Sequence, residues 1–301
     1  MKSIAIIFRE TRPQFLTPVC YLVGLGSASY VLGGLGRITI EYAILAFIGA
    51  LFSHVAVNVL NDYFDFRSGL DLKTLKTPFS GGSGILPKGL MNPREALIIG
   101  IISLLVVIAI GLYFLKERGL GLLPLGLLGL LVIILYTPFV TKIPMLCLIA
   151  PGLGFGPLMV IGTHFVITGR YDWIAFLASI VPGFLVSNLL LLNQFPDVEA
   201  DRSVNRRHFP IVIGRKASSY VYALFSLSAF FWVAIATALN LFPVWAILAF
   251  LPLPIAIITI RGVIKNAENI NALLPFLREN VIYTLLTPFL LGVGFLVSSS
   301  S

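Results

Sequence analysis

Five of the six aspartates in this chain fall in two short stretches, each placed where a long apolar run stops. The first stretch reads HVAVNVLNDYFDFRSGLD and ends at Asp71; the second reads LLNQFPDVEADRSVNRRHFPIVIGR and ends at Arg215. At ~100° per helical residue, Asn58, Asp62 and Asp65 lie within roughly 60° of one another, and Asn61 and Asp65 form an i, i+4 pair beside them. In the second stretch Asn193, Asp197 and Asp201 recur every four residues and share one stripe. Two acidic stripes facing each other in a low dielectric repel strongly, so something cationic must stand between them. Carboxylate and amide oxygens without paired sulfur or histidine ligands suit Mg2+, which keeps its waters and takes phosphate oxygens as co-ligands. The candidate ligands are Asn58, Asn61, Asp62, Asp65 and Asp71 on one side, and Asn193, Asp197 and Asp201 on the other. One isolated cluster could merely cap a helix at headgroup level. Two matched clusters at a membrane boundary point to a working chamber.

Cations surround both clusters. Arg67, Lys73 and Lys76 follow the first, and Arg202, Arg206 and Arg207 accompany the second. Metal plus guanidinium is what a departing diphosphate needs, because its departure builds negative charge. Arg67, Lys73, Arg206 and Arg207 are therefore the expected substrate-binding group, although each taken singly also suits a topology anchor. The loop at 66–94 carries PFSGGSGILPKG and is long enough to fold over a cavity and exclude water, or to serve as a plain connector. A second loop, 202–216, is expected on the same side.

The elements that must position these residues are membrane helices. Of 301 residues, 58% are hydrophobic and 11% charged, with mean hydropathy +0.98, against roughly 25% charged residues in soluble domains. Runs of about 20 apolar residues predict nine spans near 14–35, 40–64, 95–115, 120–137, 143–167, 173–195, 217–238, 241–262 and 280–298. They form one all-α transmembrane domain over 1–301, bundled around a central cavity. The opening MKSIAIIFRETRPQ lacks the long apolar region and cleavage site of a signal peptide. Cys20 and Cys147 both fall in apolar runs, so they read as buried thiols, not as a disulfide or metal pair.

Of the 21 Lys and Arg, only Arg37, Lys116, Arg118 and Arg170 fall on the side opposite the clusters. Positive residues stay cytoplasmic, which places the N-terminus and both clusters inside a multi-pass protein of the cell membrane. The net charge of +8 then reflects orientation and anionic lipid; nucleic acid is not needed to explain it.

At these residues the sequence resembles the UbiA superfamily of intramembrane prenyltransferases, which pairs an NDxxDxxxD-type motif with a DxxxD motif on nine helices. Asn61, Asp62, Asp65 and the DVEAD pair Asp197 and Asp201 match. The last aspartate of the first motif comes six residues after Asp65, not four. That departure resembles the 1,4-dihydroxy-2-naphthoate (menaquinone) and vitamin-K branch, as do TPFSGGSGILPKGLMNP, FGPLMVIGTHFVITG and TRPQFLTPV. The resemblance covers residues 11 to about 215. It implies that magnesium grips a polyprenyl diphosphate, that ionisation gives an allylic carbocation, and that an electron-rich aromatic carbon attacks it as carbon dioxide leaves. By the same likeness Tyr136 and Lys142 join Asp65 and Asp197 as catalytic residues by steadying the leaving group, and Arg12 meets an acidic acceptor. The lipid tail needs an apolar groove, which some of the 23 Phe could line. His54, His164 and His208 read as structural histidines.

Rival readings differ in discriminating features. A CDP-alcohol phosphotransferase needs DGxxAR, which is absent from this sequence. An ion or solute transporter would favour acids near the midplane and an inverted repeat. Within the superfamily, geranylgeranylglyceryl phosphate and 4-hydroxybenzoate remain alternative acceptors.

Overall fold

The computed structural model describes residues 4–15, 17–74, 76–77 and 80–299, all of them helix, turn or irregular chain. Pro78 and Phe79 of the Gly-rich loop lie outside the described residues, as do Leu16, Leu75 and both chain ends.

A short α1 (Ile4–Glu10) leads through 3-10 turns at Pro13–Phe15 and Thr17–Cys20 into α2 (Tyr21–Leu32). Pro13 and Pro18 carry no amide proton for an α ladder, so the first expected span begins as tighter turns. α3 (Ile40–Arg67) has Glu41 in its first turn and Arg67 in its last, each charge opposing the helix dipole at its own end. α4 (Pro93–Arg118) opens on a capping box. The Asn92 side chain accepts from the Arg94 amide at 2.9 Å, and Glu95 accepts from the Asn92 amide at 2.9 Å.

α5 (Leu123–Leu135), α6 (Pro144–Leu153) and α7 (Met159–Thr168) follow, with a π turn at Gly154–Leu158 between the last two. Pro151 and Pro157 each remove one ladder bond, which is why the helix widens there. After α8 (Trp173–Asn193) come short α9 (Val198–Ser203) and α10 (Phe209–Val212), then α11 (Gly214–Ala238), α12 (Leu253–Asn266) and α13 (Ile270–Ser298).

Among the described residues eight helical segments are long and apolar enough to cross a membrane, and Leu120–Leu135 is a shorter apolar one at the place expected for the fourth span. The last helix starts well before the expected 280. Asn269 caps it by accepting from the Ala272 amide at 3.2 Å, and Glu279 is satisfied by the Thr259 hydroxyl at 3.2 Å. Polar residues that look like a break therefore ride on the helix. Outward Ile101, Ile102, Leu105, Leu127, Leu128 and Leu131 are exposed, a surface that only lipid tolerates. The chain is an integral, multi-pass membrane protein.

The bundle has a dry half and a hollow half. α8, α11, α12 and α13 share one close-packed core around Leu185, Tyr222, Phe230, Leu277 and Tyr283. α3, α4, α5, α6, the π turn and α7 instead surround a cavity, which the C-terminal half of α8 closes. The two halves meet where small residues let backbones touch. A Cβ at Gly156 would lie 2.7 Å from Gly183 Cα and 2.8 Å from the Ser179 carbonyl. Gly156→Val is expected to destabilise the protein by roughly 1–3 kcal/mol, read as a lower unfolding midpoint in detergent. Gly36→Ala, where a Cβ meets nothing within 4 Å, should leave that midpoint unchanged.

Candidate active site

The C-terminal turns of α3 carry Asn58, Asn61 and Asp65 to the wall of the cavity. α3 stops at Arg67, and Gly69 at φ 76° reverses the chain. The amides of Leu70 and Asp71 then return to the Asp65 carbonyl at 3.0 and 3.4 Å. This hook explains the six-residue spacing: Asp71 is folded back beside Asp65 and lines the same cavity.

The other wall comes from the end of α8. Asn193 closes that helix, and Asp197 and Asp201 bracket the first turn of α9. One guanidinium joins the two walls. Arg206 pairs with Asp65 and also donates to Asp201 Oδ1 at 3.1 Å, while His208 Nε2 stands 2.9 Å from Asp201 Oδ2. Arg12, at a left-handed φ of 52°, pairs with Asp62.

The Gly-rich loop lies across this mouth. Gly81 and Gly82 adopt φ of 78° and 72°, and both line the cavity. The Gly81 amide donates to Asp197. The Ser83 amide donates to Asp62 Oδ2 at 2.9 Å, and the Ser83 hydroxyl to Glu10 at 2.6 Å. α1, the loop and α3 are thus fastened through buried carboxylates.

Among the described residues that line the cavity, three buried oxygens have no partner: Asp71 Oδ2, Asn193 Oδ1 and Asp197 Oδ1. Burial, and then the Asp201 charge, push the Asp197 carboxyl up to about 8. Burial and the Asp65 charge push Asp71 up to about 7. Both shifts follow first from removal of the carboxyl from water; neighbouring acids add to them, and the Arg12 and Arg206 guanidiniums offset only part. Among the described residues no three acids, histidines or cysteines converge into a metal cage by themselves; the guanidiniums of Arg12 and Arg206 reach in between the acids instead. The donor set is nevertheless all hard oxygen and fits Mg2+, which takes few protein ligands and completes its shell with water and phosphate.

Below the mouth the cavity, about 370 Å³ in volume, becomes apolar. Its lining on α3 repeats from Ala46 through Gly49, Ser53, Val57 and Asn61 to Asp65, nineteen residues or ~28 Å along the axis. Val107, Phe114, Leu122, Leu130 and Val166 line its deeper part. Tyr136 faces the mouth and meets the Cys147 thiol, which also accepts from Gln194 Nε2 at 3.2 Å.

The expected basic residues divide sharply. Arg12 and Arg206 face the cavity. Arg67, Lys73, Lys142 and Arg207 are exposed and are absent from its lining; Lys73 Nζ reaches Ser203 at 3.4 Å, and Arg207 uses only its backbone amide, on the Thr141 carbonyl at 3.0 Å. Asp62, 1% exposed, turns away from the cavity toward Arg12 and Ser83. His54 Nδ1 meets the Thr17 hydroxyl at 2.8 Å, and His164 Nδ1 meets the Ser27 hydroxyl at 2.9 Å with its Nε2 left unpartnered, whereas His208 belongs to the acid cluster. Sequence reasoning missed Glu10 and the loop amides. An acid two residues before Arg12 in an apolar segment was the available signal for Glu10; a backbone donor leaves no signal beyond its glycine run.

Residues 19–281 match the UbiA prenyltransferase family. The chain is 27% identical over 299 residues to the 1,4-dihydroxy-2-naphthoate octaprenyltransferase of Bacillus subtilis (strain 168), covering 97% of this chain and 93% of that protein. It is 25% identical over 238 residues to the digeranylgeranylglyceryl phosphate synthase of Pyrococcus horikoshii, covering 75% and 78%. Among solved structures, the apo UbiA homolog from Aeropyrum pernix K1 superposes with a TM-score of 0.65 at 18% identity, covering 96% of this chain and 98% of that one. The Archaeoglobus fulgidus UbiA homolog bound to GPP and Mg2+ gives 0.61 at 14% identity, covering 97% and 99%. The fold, the paired acidic motifs and the family match agree: this chain is an enzyme of the UbiA prenyltransferase family.

Proposed function

We propose that the chain transfers a polyprenyl group from an isoprenyl diphosphate to 1,4-dihydroxy-2-naphthoate, with Mg2+ as cofactor. The observation that carries this reading is one cavity with two chemistries: an oxygen- and guanidinium-lined mouth opening directly into an apolar tunnel. That shape fits an amphiphile with a diphosphate head. The choice of acceptor is supported by the full-length likeness to the Bacillus subtilis naphthoate enzyme. We place nine spans in the cell membrane, with the N-terminus and the mouth facing the cytoplasm, following the distribution of Lys and Arg.

Asp65, Asp71, Asn193, Asp197 and Asp201 would hold the magnesium, with Asn58 and Asn61 beside them. When bound, the metal neutralises charge on the diphosphate. Asp62 would need to exchange its contacts with Arg12 and Ser83 before it could coordinate. Arg206 and Arg12 supply fixed positive charge at the leaving group, and Tyr136 offers a hydroxyl at the same level. The bond between the allylic carbon and the diphosphate oxygen breaks, and its electron pair leaves with diphosphate. The aromatic carbon bearing the carboxylate then forms the new carbon–carbon bond. Loss of carbon dioxide returns the carboxylate bond's electrons to the ring, so no protein base is required. The apolar tunnel and the overlying loop keep water from the cation.

Membranes or detergent-purified protein supplied with Mg2+, a prenyl diphosphate and each acceptor in turn test this assignment. Product is expected with the naphthoate; product with geranylgeranylglyceryl phosphate alone would overturn it in favour of lipid synthesis. EDTA should abolish turnover and added Mg2+ restore it. Asp65→Ala and Asp197→Ala should each lower kcat by at least about 100-fold, and near-normal rates would remove these residues from the mechanism. Ser83→Ala should raise KM for the diphosphate several-fold with little change in kcat, since it loosens the loop without removing a charge from the mouth.

A further inference from the structure

Arg12 brings its charge to the mouth from a strap, the 3-10 turns that join α1 to α2. Its backbone is left-handed, at φ 52°, a conformation that a residue with a Cβ keeps only where its surroundings impose it. Pro13 follows directly, and a proline ring crowds the residue before it. The bonds the strap makes to itself are local: the Arg12 amide donates to the Arg9 carbonyl at 3.2 Å, and the Phe15 amide to the Arg12 carbonyl at 3.1 Å. The outside hold comes from α3. His54 stands one helical turn before Asn58 and is 3% exposed. Its Nδ1 meets the Thr17 hydroxyl at 2.8 Å, and the ring also hydrogen-bonds to the backbone of Thr11 and Arg12. Two points of the strap, on either side of Pro13, thus converge on one imidazole. Phe155 of the π turn packs edge-on against that ring, with centroids 6.1 Å apart, and the Asn58 amide donates to the His54 carbonyl at 2.9 Å.

Resting on the prenyltransferase reading above, we propose that His54 is a positioning residue: it acts through the strap, and holds the Arg12 guanidinium at the leaving-group end of the cavity. A backbone carbonyl takes the N–H of one ring nitrogen, which leaves the other to accept from Thr17. A neutral imidazole therefore fills both roles at once and adds no charge to the mouth. The strap runs back to Glu10, which accepts from the Ser83 hydroxyl at 2.6 Å. A pin at His54 thereby also steadies the anchor of the overlying loop.

Two substitutions separate the hydrogen bonds from the bulk. His54→Phe keeps an aromatic ring against Phe155 and removes the bonds to the strap; His54→Gln keeps an oxygen for Thr17 and an N–H for the strap backbone. On the detergent-purified enzyme with Mg2+, a prenyl diphosphate and the naphthoate, His54→Phe should lower kcat/KM for the diphosphate at least about tenfold, and His54→Gln should recover most of that loss. Added to Arg12→Ala, His54→Phe should cost less than about twofold more, because the group it positions is already gone. Near-normal turnover in His54→Phe, a loss that multiplies with that of Arg12→Ala, or a His54→Gln protein as impaired as His54→Phe would overturn the positioning role. Amide hydrogen exchange on the same proteins without substrate reads the pin itself. The Arg12 and Phe15 amides should exchange at least about tenfold faster in His54→Phe while the core amides of α8 and α11 keep their rates. Unchanged exchange in the strap would refute the pin, and faster exchange throughout the bundle would reduce His54 to a packing residue. That readout needs no turnover, so an inactive wild-type protein would count against the proposed reaction while the pin is still decided.

Discussion

The structure turns on a charge imbalance at the ends of α3 and α8. Asp62, Asp65, Asp71, Asp197 and Asp201 gather there against the guanidiniums of Arg12 and Arg206. Arg206 is the joint: it bridges Asp65 on the α3 wall to Asp201 on the α9 wall, and both acids are nearly fully buried. Breaking a buried pair of this kind costs about 3–5 kcal/mol because it strands a charge away from water. The bridge therefore fixes the distance between the walls. It does not neutralise them, and the unpartnered oxygens of Asp71, Asn193 and Asp197 are the residue of that deficit. In the proposed reaction a site left incomplete in this way would attract a divalent cation and, through it, a polyanion.

Holding five acids together and a hollow beneath them requires a rigid frame, which the other half of the bundle supplies. There the Tyr222 and Tyr283 hydroxyls lie 2.8 Å apart, Tyr222 donates to Asn280 at 3.0 Å, and the Asn188 amide donates to the Tyr222 carbonyl at 2.7 Å. Such interhelical bonds are worth only about 0.6–2 kcal/mol each in a membrane. Their geometry, shared among α8, α11 and α13, keeps the α8 end where Asp197 must be. The loop across the mouth is held differently, by carboxylates at its glycine turn and by Ile85 and Leu86 buried against Val59 of α3. Glu10 and Asp62 accept from Ser83, so the lid is coupled to the charges that it covers.

Much of this was legible in the sequence, and the failures have physical reasons. Apolar runs marked the helices because lipid forces every backbone group into a ladder. Asparagine and aspartate spacing marked the stripes on α3. The basic residues were harder, since adjacency in sequence says little about direction. Arg67 lies two residues past Asp65, ~200° around the helix, and so points away from the site; Arg207 is the neighbour of Arg206, yet their side chains part. Asp71 could not be placed by helical angle at all, because α3 ends at Arg67 and Gly69 turns the chain back. The amides of Gly81 and Ser83 carry no side-chain signature.

The polarity step between mouth and tunnel also decides where binding energy must come from. A soluble enzyme gains roughly 0.8 kcal/mol for each methylene it takes out of water. A prenyl tail arriving from a bilayer has already left water, so its transfer into an apolar tunnel returns almost nothing. For the proposed donor, affinity would therefore reside in the head: the oxygen ligands, Arg12, Arg206 and the loop amides. What the tunnel contributes is shape. In the proposed reaction it would align the tail along α3, set the allylic carbon at the level of Tyr136 and Asp65, and keep water from the carbon that becomes cationic. Recognition of the proposed donor would thus be split, with charge at one end supplying hold and an apolar surface at the other supplying alignment.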